Sequence, residues 1–83
     1  MYTNVVLSIA GSDSGGGAGI QADLRTFMAL NLHGCSAITC ITAQNSLGVH
    51  DVEAINADII KSQIDAVFSD FKIKSLKTGM LLN

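Results

Sequence analysis

GSDSGGGAG, residues 11–19, is the stretch that decides the fold, and it holds five of the chain's eight glycines. An apolar run at 5–10 precedes this glycine segment, and a helical pattern of apolar residues at 20–30 follows it. Because glycine has no Cβ, the backbone can turn with positive φ here and can approach a ligand closely. The order therefore predicts a strand, a ligand-binding turn and the start of a helix.

The spacing within the glycine segment argues against a nucleotide-phosphate site. A P-loop needs Lys and then Ser or Thr after its last glycine, whereas Gly16 is followed by Gly-Ala-Gly at 17–19. The dinucleotide fingerprint G-x-G-x-x-G also fails, because its last glycine position falls on Ile20. A bare helix N-terminus still binds anions, so a phosphate role stays open. A neutral, partly polar ligand fits these residues better.

The composition indicates one small α/β unit that is unusually apolar. The chain has 83 residues, of which 48% are hydrophobic, and its mean hydropathy is +0.41. The runs at 5–10 and 37–41 are apolar without clean alternation, as in strands of a parallel sheet covered on both faces. The two helices that the sequence predicts could scarcely cover both faces of three strands. We therefore expect the chain to be part of a larger domain.

Charge and cysteine usage exclude several classes of protein. The net charge of −2 provides no basic cluster for nucleic acid, and Lys72, Lys74 and Lys77 are expected at the solvated rim of a strand. No basic region precedes the first apolar run, which is too short to span a bilayer, so neither a signal peptide nor a membrane partner is predicted. Cys35 and Cys40 fall on opposite faces of one predicted strand and cannot pair there. A cytoplasmic protein with reduced thiols is the simplest interpretation.

Hydrophobic periodicity predicts the order β-α-β-α-β, with Asn56 as the N-cap of the second helix. This alternation is typical of a parallel α/β sheet with right-handed crossovers. Ligands of such sheets bind beyond the carboxyl ends of the strands, which selects the loops that begin at Gly11, Ala43 and Thr78. The predicted elements are strand 4–10, helix 18–30, strand 35–42, a polar loop at 43–56, helix 57–69 and strand 72–77.

Two polar residues stand where a ligand would be held. Asp23 falls at the edge of the apolar face of the first helix, where a carboxylate is costly unless something satisfies it. It either caps backbone amides, such as those of the glycine segment, or accepts from a substrate hydroxyl or amine. Gln44 follows the second strand, and its amide suits the paired edge of a neutral heterocycle. An ordinary polar loop residue is the alternative for Gln44.

The remaining candidates favour structural roles. Ser12 and Asp13 could cap the first helix or contact a ligand, and capping is the favoured interpretation. Met80 could pack on a flat ring through its thioether, although on its own such a residue more often belongs to a core. His33 and His50 lack the spacing of metal ligands, so no metal site is predicted in this chain.

Residues 9–23, IAGSDSGGGAGIQAD, closely resemble the opening of the hydroxymethylpyrimidine/phosphomethylpyrimidine kinases. TAQN at 42–45 and KTGML at 77–81 are similar to the next two landmarks of that family, in the same order. The resemblance covers essentially the whole chain. It implies a three-layer, ribokinase-like (Rossmann-like) parallel sheet with flanking helices, of which residues 1–83 are the N-terminal β-α-β-α-β part. Pyridoxal kinases share this fold and look less similar.

The resemblance implies an enzyme of thiamine biosynthesis. Such kinases use ATP and Mg²⁺ to phosphorylate 4-amino-5-hydroxymethyl-2-methylpyrimidine and then its monophosphate. Carried over by position, Gln44 would hydrogen-bond the aminopyrimidine and Met80 would pack against its ring. Asp23 and the backbone at Gly11 and Ala18 would hold the polar substituents.

The chain departs from the family in length. In ribokinase-like enzymes the glycine-rich anion hole, the catalytic base or thiol and most of the ATP pocket lie in the C-terminal half. The resemblance therefore places no catalytic residue in this chain and assigns ATP and Mg²⁺ mainly to that half. We expect these 83 residues to supply the substrate side of the site and to be inactive alone, and the full-length kinase to be a homodimer. Three alternatives stay open: a pyridoxal-type kinase, a non-catalytic pyrimidine-binding module, and a structural fragment whose glycines only turn the chain.

Overall fold

The computed structural model describes residues 4–79, which form a four-stranded sheet with a helix on each face. The elements are β1 Val5–Asp13, α1 Gly19–Ala29, β2 His33–Asn45, β3 Gly48–Ala54, α2 Ala57–Asp70 and β4 Ile73–Thr78. Across the sheet the strand order is β3-β2-β1-β4. No helix within residues 4–79 has the length and apolar character needed to cross a membrane.

β1 is a central strand, because it pairs in parallel with β2 on one side and with β4 on the other. Val5, Val6 and Leu7 are buried, as expected for an apolar strand that is covered on both faces. The ladder between β1 and β2 shifts its register between Ala10 and Ser12, so β1 is irregular where the glycine segment begins. The predicted parallel core is confirmed, and β1 and β2 each extend three residues beyond their predicted ends.

The two helices cover opposite faces of the sheet. On one face α2 packs Ile64 and Val67 against the core formed around Leu7 and Ala37. On the other face α1 lies over the even-numbered residues of β1 and β2, where a Cβ on Gly34 would meet the side chains of α1. Sheet and helices therefore form the three layers that the alternation of elements predicts.

Both cysteines are free and buried, in agreement with the sequence prediction. Cys35 belongs to the core beneath α2, whereas the Cys40 sulfur lies under Gly11 on the opposite face. Burial raises the pKa of the Cys35 thiol, and the negative charge of Asp70 raises it further. Cys35 is therefore a protonated core side chain at neutral pH and not a reactive thiol.

The prediction of a polar loop at 43–56 is wrong, because this segment contains the end of β2 and the whole of β3. β2 runs on to Asn45, and β3 returns antiparallel against it, which makes the sheet mixed at this edge. All seven residues of β3 are exposed, so the segment has no buried face and gives no alternating apolar signal. Backbone pairing with β2 is what makes it a strand. The Asn56 cap is confirmed, since its side chain accepts from the backbone N–H of Asp58 at 2.7 Å.

Candidate functional site

A cavity of about 240 Å³ opens at the carboxyl end of β1, bordered by the glycine segment, α1, β3 and the ends of β2 and β4. Four of the five residues predicted to bind substrate line it, namely Gly11, Ala18, Asp23 and Gln44. The fifth, Met80, lies outside the described residues. The structure thus brings together residues that the sequence separates by up to 33 positions, at the edge of the sheet where ligands of parallel sheets bind.

The glycine segment folds around the side chain of Asp13. Its Oδ1 accepts from the N–H of Gly15 at 2.8 Å, and its Oδ2 accepts from the N–H groups of Gly17 and Ala18, both at 2.9 Å. A run of free amides would be an anion-binding nest, but here a carboxylate of the chain itself occupies these three. The segment is therefore not a free phosphate cradle. The prediction that Asp13 caps α1 is wrong, because its carboxylate binds amides of the turn and of Ala18, all of which precede the helix.

Two glycines allow the segment to lie directly on the end of β1. Gly19 has a φ of 62°, and a Cβ there would overlap the carbonyl oxygen of Gly11. A Cβ on Gly11 would in turn lie 2.6 Å from the sulfur of Cys40. Only glycine combines a positive φ with this close approach. As a result, backbone rather than side chains forms this wall of the cavity.

Gln21 ties the segment to α1, a role that the sequence analysis missed. Its Oε1 accepts from the backbone N–H of Asp13 at 2.8 Å, and its Nε2 donates to the Ser12 hydroxyl at 2.7 Å. The prediction that Ser12 caps the helix amides is wrong: its hydroxyl binds a side chain of the helix instead, and Ser12 lines the cavity together with Asp13. The start of the glycine segment is thus bound to the helix that follows its end.

Asp23 faces inward, as predicted, and is 7% exposed. The Ser8 hydroxyl donates to its Oδ2 at 2.6 Å, and the Lys77 ammonium donates to its Oδ1. Burial alone raises the pKa of Asp23, but the hydrogen bonds from Lys77 and Ser8 and the charge of Lys77 together hold that pKa below its usual value. The carboxylate is thus ionised at neutral pH and fixed in orientation. The amides of the glycine segment, which Asp23 could have capped, are bound by Asp13 instead.

Lys77 lies on the edge strand β4 with an exposed side chain, as predicted, but its ion pair was not predicted. Its side chain is 55% exposed, yet the ammonium pairs with Asp23 and the residue lines the cavity. The reason lies in the register, which sets Lys77 of β4 beside Ser8 of β1, and Ser8 is already bonded to Asp23. The available signal was an inward carboxylate whose neighbouring cation, Arg25, lies two residues away in the helix and so does not face it.

Gln44 is held through both its backbone and its side chain. The Ser14 hydroxyl donates to the Gln44 carbonyl oxygen and accepts from its N–H, each at 2.6 Å. The Thr42 hydroxyl lies 2.9 Å from Gln44 Oε1. Val49 of β3 pairs with Gln44 in the ladder and also lines the cavity. The strand that sequence reasoning missed therefore supplies an apolar wall beside the polar amide edge.

The described residues do not fit a metal ion. Within residues 4–79 no group of three or more His, Cys, Asp or Glu side chains could hold one. The two carboxylates at the cavity, Asp13 and Asp23, are engaged by backbone amides and by Ser8 and Lys77. This part of the site is consequently suited to a small polar molecule and not to a metal–phosphate group.

The family model of phosphomethylpyrimidine kinase matches residues 13–83. The chain belongs to this family. A hydroxymethylpyrimidine/phosphomethylpyrimidine kinase of Rhizobium meliloti is 62% identical over 79 residues, which are 95% of this chain and 30% of that protein. The chain thus spans about a third of the length of the curated relatives that it matches.

Solved structures give the same result for the fold. The crystal structure of phosphomethylpyrimidine kinase from Clostridium difficile 630 matches with a TM-score of 0.93 and 56% identity, over 98% of this chain and 35% of that one. An ADP complex of Bacillus subtilis pyridoxal kinase matches with a TM-score of 0.86 and 43% identity, over 96% of this chain and 32% of that one. The predicted family and the ribokinase-like fold are confirmed.

Proposed function

We propose that the full-length protein phosphorylates 4-amino-5-hydroxymethyl-2-methylpyrimidine and then its monophosphate, using ATP and Mg²⁺, in thiamine biosynthesis. One observation carries the proposal: a fixed amide edge on Gln44 and a fixed, ionised Asp23 face the same cavity. Membership of the phosphomethylpyrimidine kinase family supports the reaction class. In this proposal the chain supplies the pyrimidine side of the site.

The chemistry of the cavity suits a small aminopyrimidine. Its volume of about 240 Å³ lies below the roughly 300–1,000 Å³ of pockets for drug-sized ligands, and so fits a one-ring molecule. The Gln44 amide offers a donor and an acceptor to the ring edge, and the Asp23 carboxylate accepts from a hydroxyl or amino group. Backbone at Gly11 and Ala18 can approach the substituents without a bulky side chain between them. Met80 would cover the ring.

Catalysis and nucleotide binding are assigned to other parts of the protein. Phosphoryl transfer depends on positioning and charge stabilisation, and residues 4–79 contain neither a fitting metal site nor a free phosphate nest. We infer that residues 1–83 are the N-terminal part of a single kinase domain and are inactive alone. Exposed apolar side chains on α2 and β4, such as Phe68 and Leu76, support this, since the rest of such a domain would cover them. The proposal includes a cytoplasmic homodimer, on the resemblance to the family.

A pyridoxal-type kinase is the second candidate function. The 43% identity to Bacillus subtilis pyridoxal kinase favours it. The two candidates differ at Gln44, because a bulkier pyridine phenol lacks an amino group next to a ring nitrogen, the pair of groups that suits an amide edge. The substrate preference of the full-length protein therefore separates them.

The test compares both substrates in the full-length protein by ADP formation. We expect kcat/KM to favour the pyrimidine, and Gln44→Ala to raise its KM by about tenfold to a hundredfold with little change in kcat, since one or two hydrogen bonds are lost. Gln63→Ala is the matched control, because Gln63 binds the backbone of Ile38 away from the cavity. A preference for pyridoxal would establish the second candidate. Absence of ATP consumption with either substrate would point to a non-catalytic binding module.

The isolated 83-residue chain provides a separate measurement. We expect no pyrimidine-dependent ATP consumption above background from it, because phosphoryl transfer needs a metal ion and no group of His, Cys, Asp or Glu side chains within residues 4–79 could hold one. Turnover by the isolated chain would contradict the assignment of catalysis to other parts of the protein.

A further inference from the structure

The Thr42 hydroxyl lies between two oxygen atoms. It is 2.8 Å from the carbonyl oxygen of Ser12 and 2.9 Å from Oε1 of Gln44, and Thr42 is 5% exposed. A hydroxyl carries a single proton, so it can donate a full hydrogen bond to only one of these neighbours. The other oxygen would then face the Thr42 oxygen without a proton between them.

The Ser12 carbonyl and the Gln44 amide differ in whether they can also donate a hydrogen bond to Thr42. The Ser12 carbonyl can only accept, whereas a half-turn of the Gln44 amide exchanges Oε1 and Nε2 with almost no change in shape. With Nε2 turned towards Thr42, the hydroxyl proton goes to Ser12 and the Thr42 oxygen accepts from Gln44. We propose that Thr42 holds the Gln44 amide in this orientation, and thereby sets the order of donor and acceptor that the amide presents to the cavity.

The backbone of Gln44 is fixed on both sides. Ser14 bonds both the N–H and the carbonyl oxygen of Gln44, and Gln44 is paired with Val49 in the ladder of β3. Rotation about the terminal torsion of the side chain then exchanges Oε1 and Nε2 without moving the amide. Thr42, two residues earlier on the same face of β2, is placed to control that torsion.

The consequence is a selection for the order of polar groups on the ring, which rests on the proposed function. A 4-aminopyrimidine presents a donor on its amino group and an acceptor on its ring nitrogen. Its 4-oxo analogue presents the reverse, an acceptor oxygen and a ring N–H. To bind the analogue in the same pose, the amide must turn Oε1 towards the Thr42 oxygen, whose proton is already given to Ser12. Thr42 is thus a positioning residue that disfavours the 4-oxo ring.

The experiment measures this selection in the full-length protein. Binding of 4-amino-5-hydroxymethyl-2-methylpyrimidine and of its 4-oxo analogue is followed by calorimetry without nucleotide, and kcat and KM are measured with ATP. We expect Thr42→Val to reduce the ratio of the two affinities by roughly tenfold, the size of one neutral hydrogen bond, with the change in KM and not in kcat. Thr42→Ser keeps the hydroxyl and should retain the ratio. Thr39→Val, a buried Thr of the same strand outside the cavity lining, should leave it unchanged.

The outcomes separate the inference from the proposed function. Loss of selectivity in Thr42→Val with retention in Thr42→Ser supports the role of Thr42, and Thr42→Ala replaces the valine variant if that one does not fold. Two outcomes overturn the inference and leave the proposed function intact. In the first, the wild-type protein phosphorylates the 4-amino ring but does not prefer it to the 4-oxo ring. In the second, the Thr42→Val variant phosphorylates the 4-amino ring and keeps the wild-type preference for it. A wild-type protein that neither binds nor phosphorylates either ring overturns both.

Discussion

Two regions of the described chain differ in how far their side chains are paired or buried. Around the glycine segment, polar groups are paired within the chain: Asp13 binds three amides, and Asp23 lies between Ser8 and Lys77. In the region of β3, α2 and β4, every residue of β3 is exposed and α2 has no fully buried residue. The comparison teaches that contacts within this chain fix the geometry of the cavity. The second region, in contrast, leaves apolar side chains such as Phe68 and Leu76 exposed.

Gly19→Ala tests the most crowded point of the first region and should have the largest effect. The positive φ costs about 1–3 kcal/mol and the overlap with the Gly11 carbonyl a further 1–3 kcal/mol, so the free energy of unfolding should fall by about 2–6 kcal/mol. Gly48→Ala is the control in the second region, since Gly48 also has a positive φ but no atom within 4 Å of its Cβ position. Denaturant unfolding of the full-length variants measures both. Equal losses would show that crowding at Gly19 contributes nothing.

Asp13→Ala removes the side chain around which the segment turns. Three backbone N–H groups lose a charged acceptor, so we expect a loss of about 2–4 kcal/mol and a weaker affinity for the pyrimidine. Asp51→Ala is the matched change in β3, where the carboxylate accepts only from the neighbouring N–H of Val52 and is exposed. That variant should change stability by less than about 0.5 kcal/mol. A loss as large in Asp51→Ala would erase the contrast between the two regions.

Lys77→Met should have a smaller effect that depends on pH. Its side chain is 55% exposed, so solvent screening limits the loss to about 1 kcal/mol at neutral pH. In the wild type the pKa of Asp23 lies below its ordinary 3.8, so the stabilisation is complete above that pH and is lost as pH falls through the folded-state pKa. Without Lys77 the pKa of Asp23 rises and this acid-side loss diminishes.

Unfolding midpoints measured from about pH 2 to pH 6 report the change, because a carboxylate titrates in this range. Lys61→Met is the control in the second region, since Lys61 pairs with Asp65 on the exposed side of α2. We expect no measurable pH-dependent change in that variant. If the unfolding midpoint of Lys77→Met fell at acid pH by the same amount as that of the wild type, the pair with Asp23 would not contribute to stability in solution.

The elements with a strong pattern were predictable, and the edge strand was not. β1, β2 and both helices have apolar runs or helical spacing because they bury a face, whereas β3 buries none and its identity depends on pairing with β2. Because β2 was predicted to end at 42, the contact between the side chains of Thr42 and Gln44 was also missed. Once β2 extends to Asn45, Thr42 and Gln44 fall on one face, and the hydroxyl beside the amide follows from alternation alone.

Four of the predicted site residues line one cavity, and the sequence analysis missed part of the contacts that hold them. The inward position of Asp23 follows from helical spacing, and the position of Gln44 follows from the end of a strand. Lys77 could not be placed, because its partner is set by the parallel register of β4 against β1 and not by anything local. Asp13 was predicted to cap α1, but it binds the amides of the preceding turn, whose path periodicity does not describe.

The pair of Asp23 and Lys77 has a consequence for the order in which the molecule forms. The two residues lie 54 positions apart, so a chain that has made β1, α1 and β2 still has no counter-charge for Asp23. Docking of α1 is then opposed by the burial of that carboxylate until β4 has added to the free edge of β1. On the ribosome, where the N-terminal part emerges first, the pair of Asp23 and Lys77 is therefore completed late, when β4 joins the sheet.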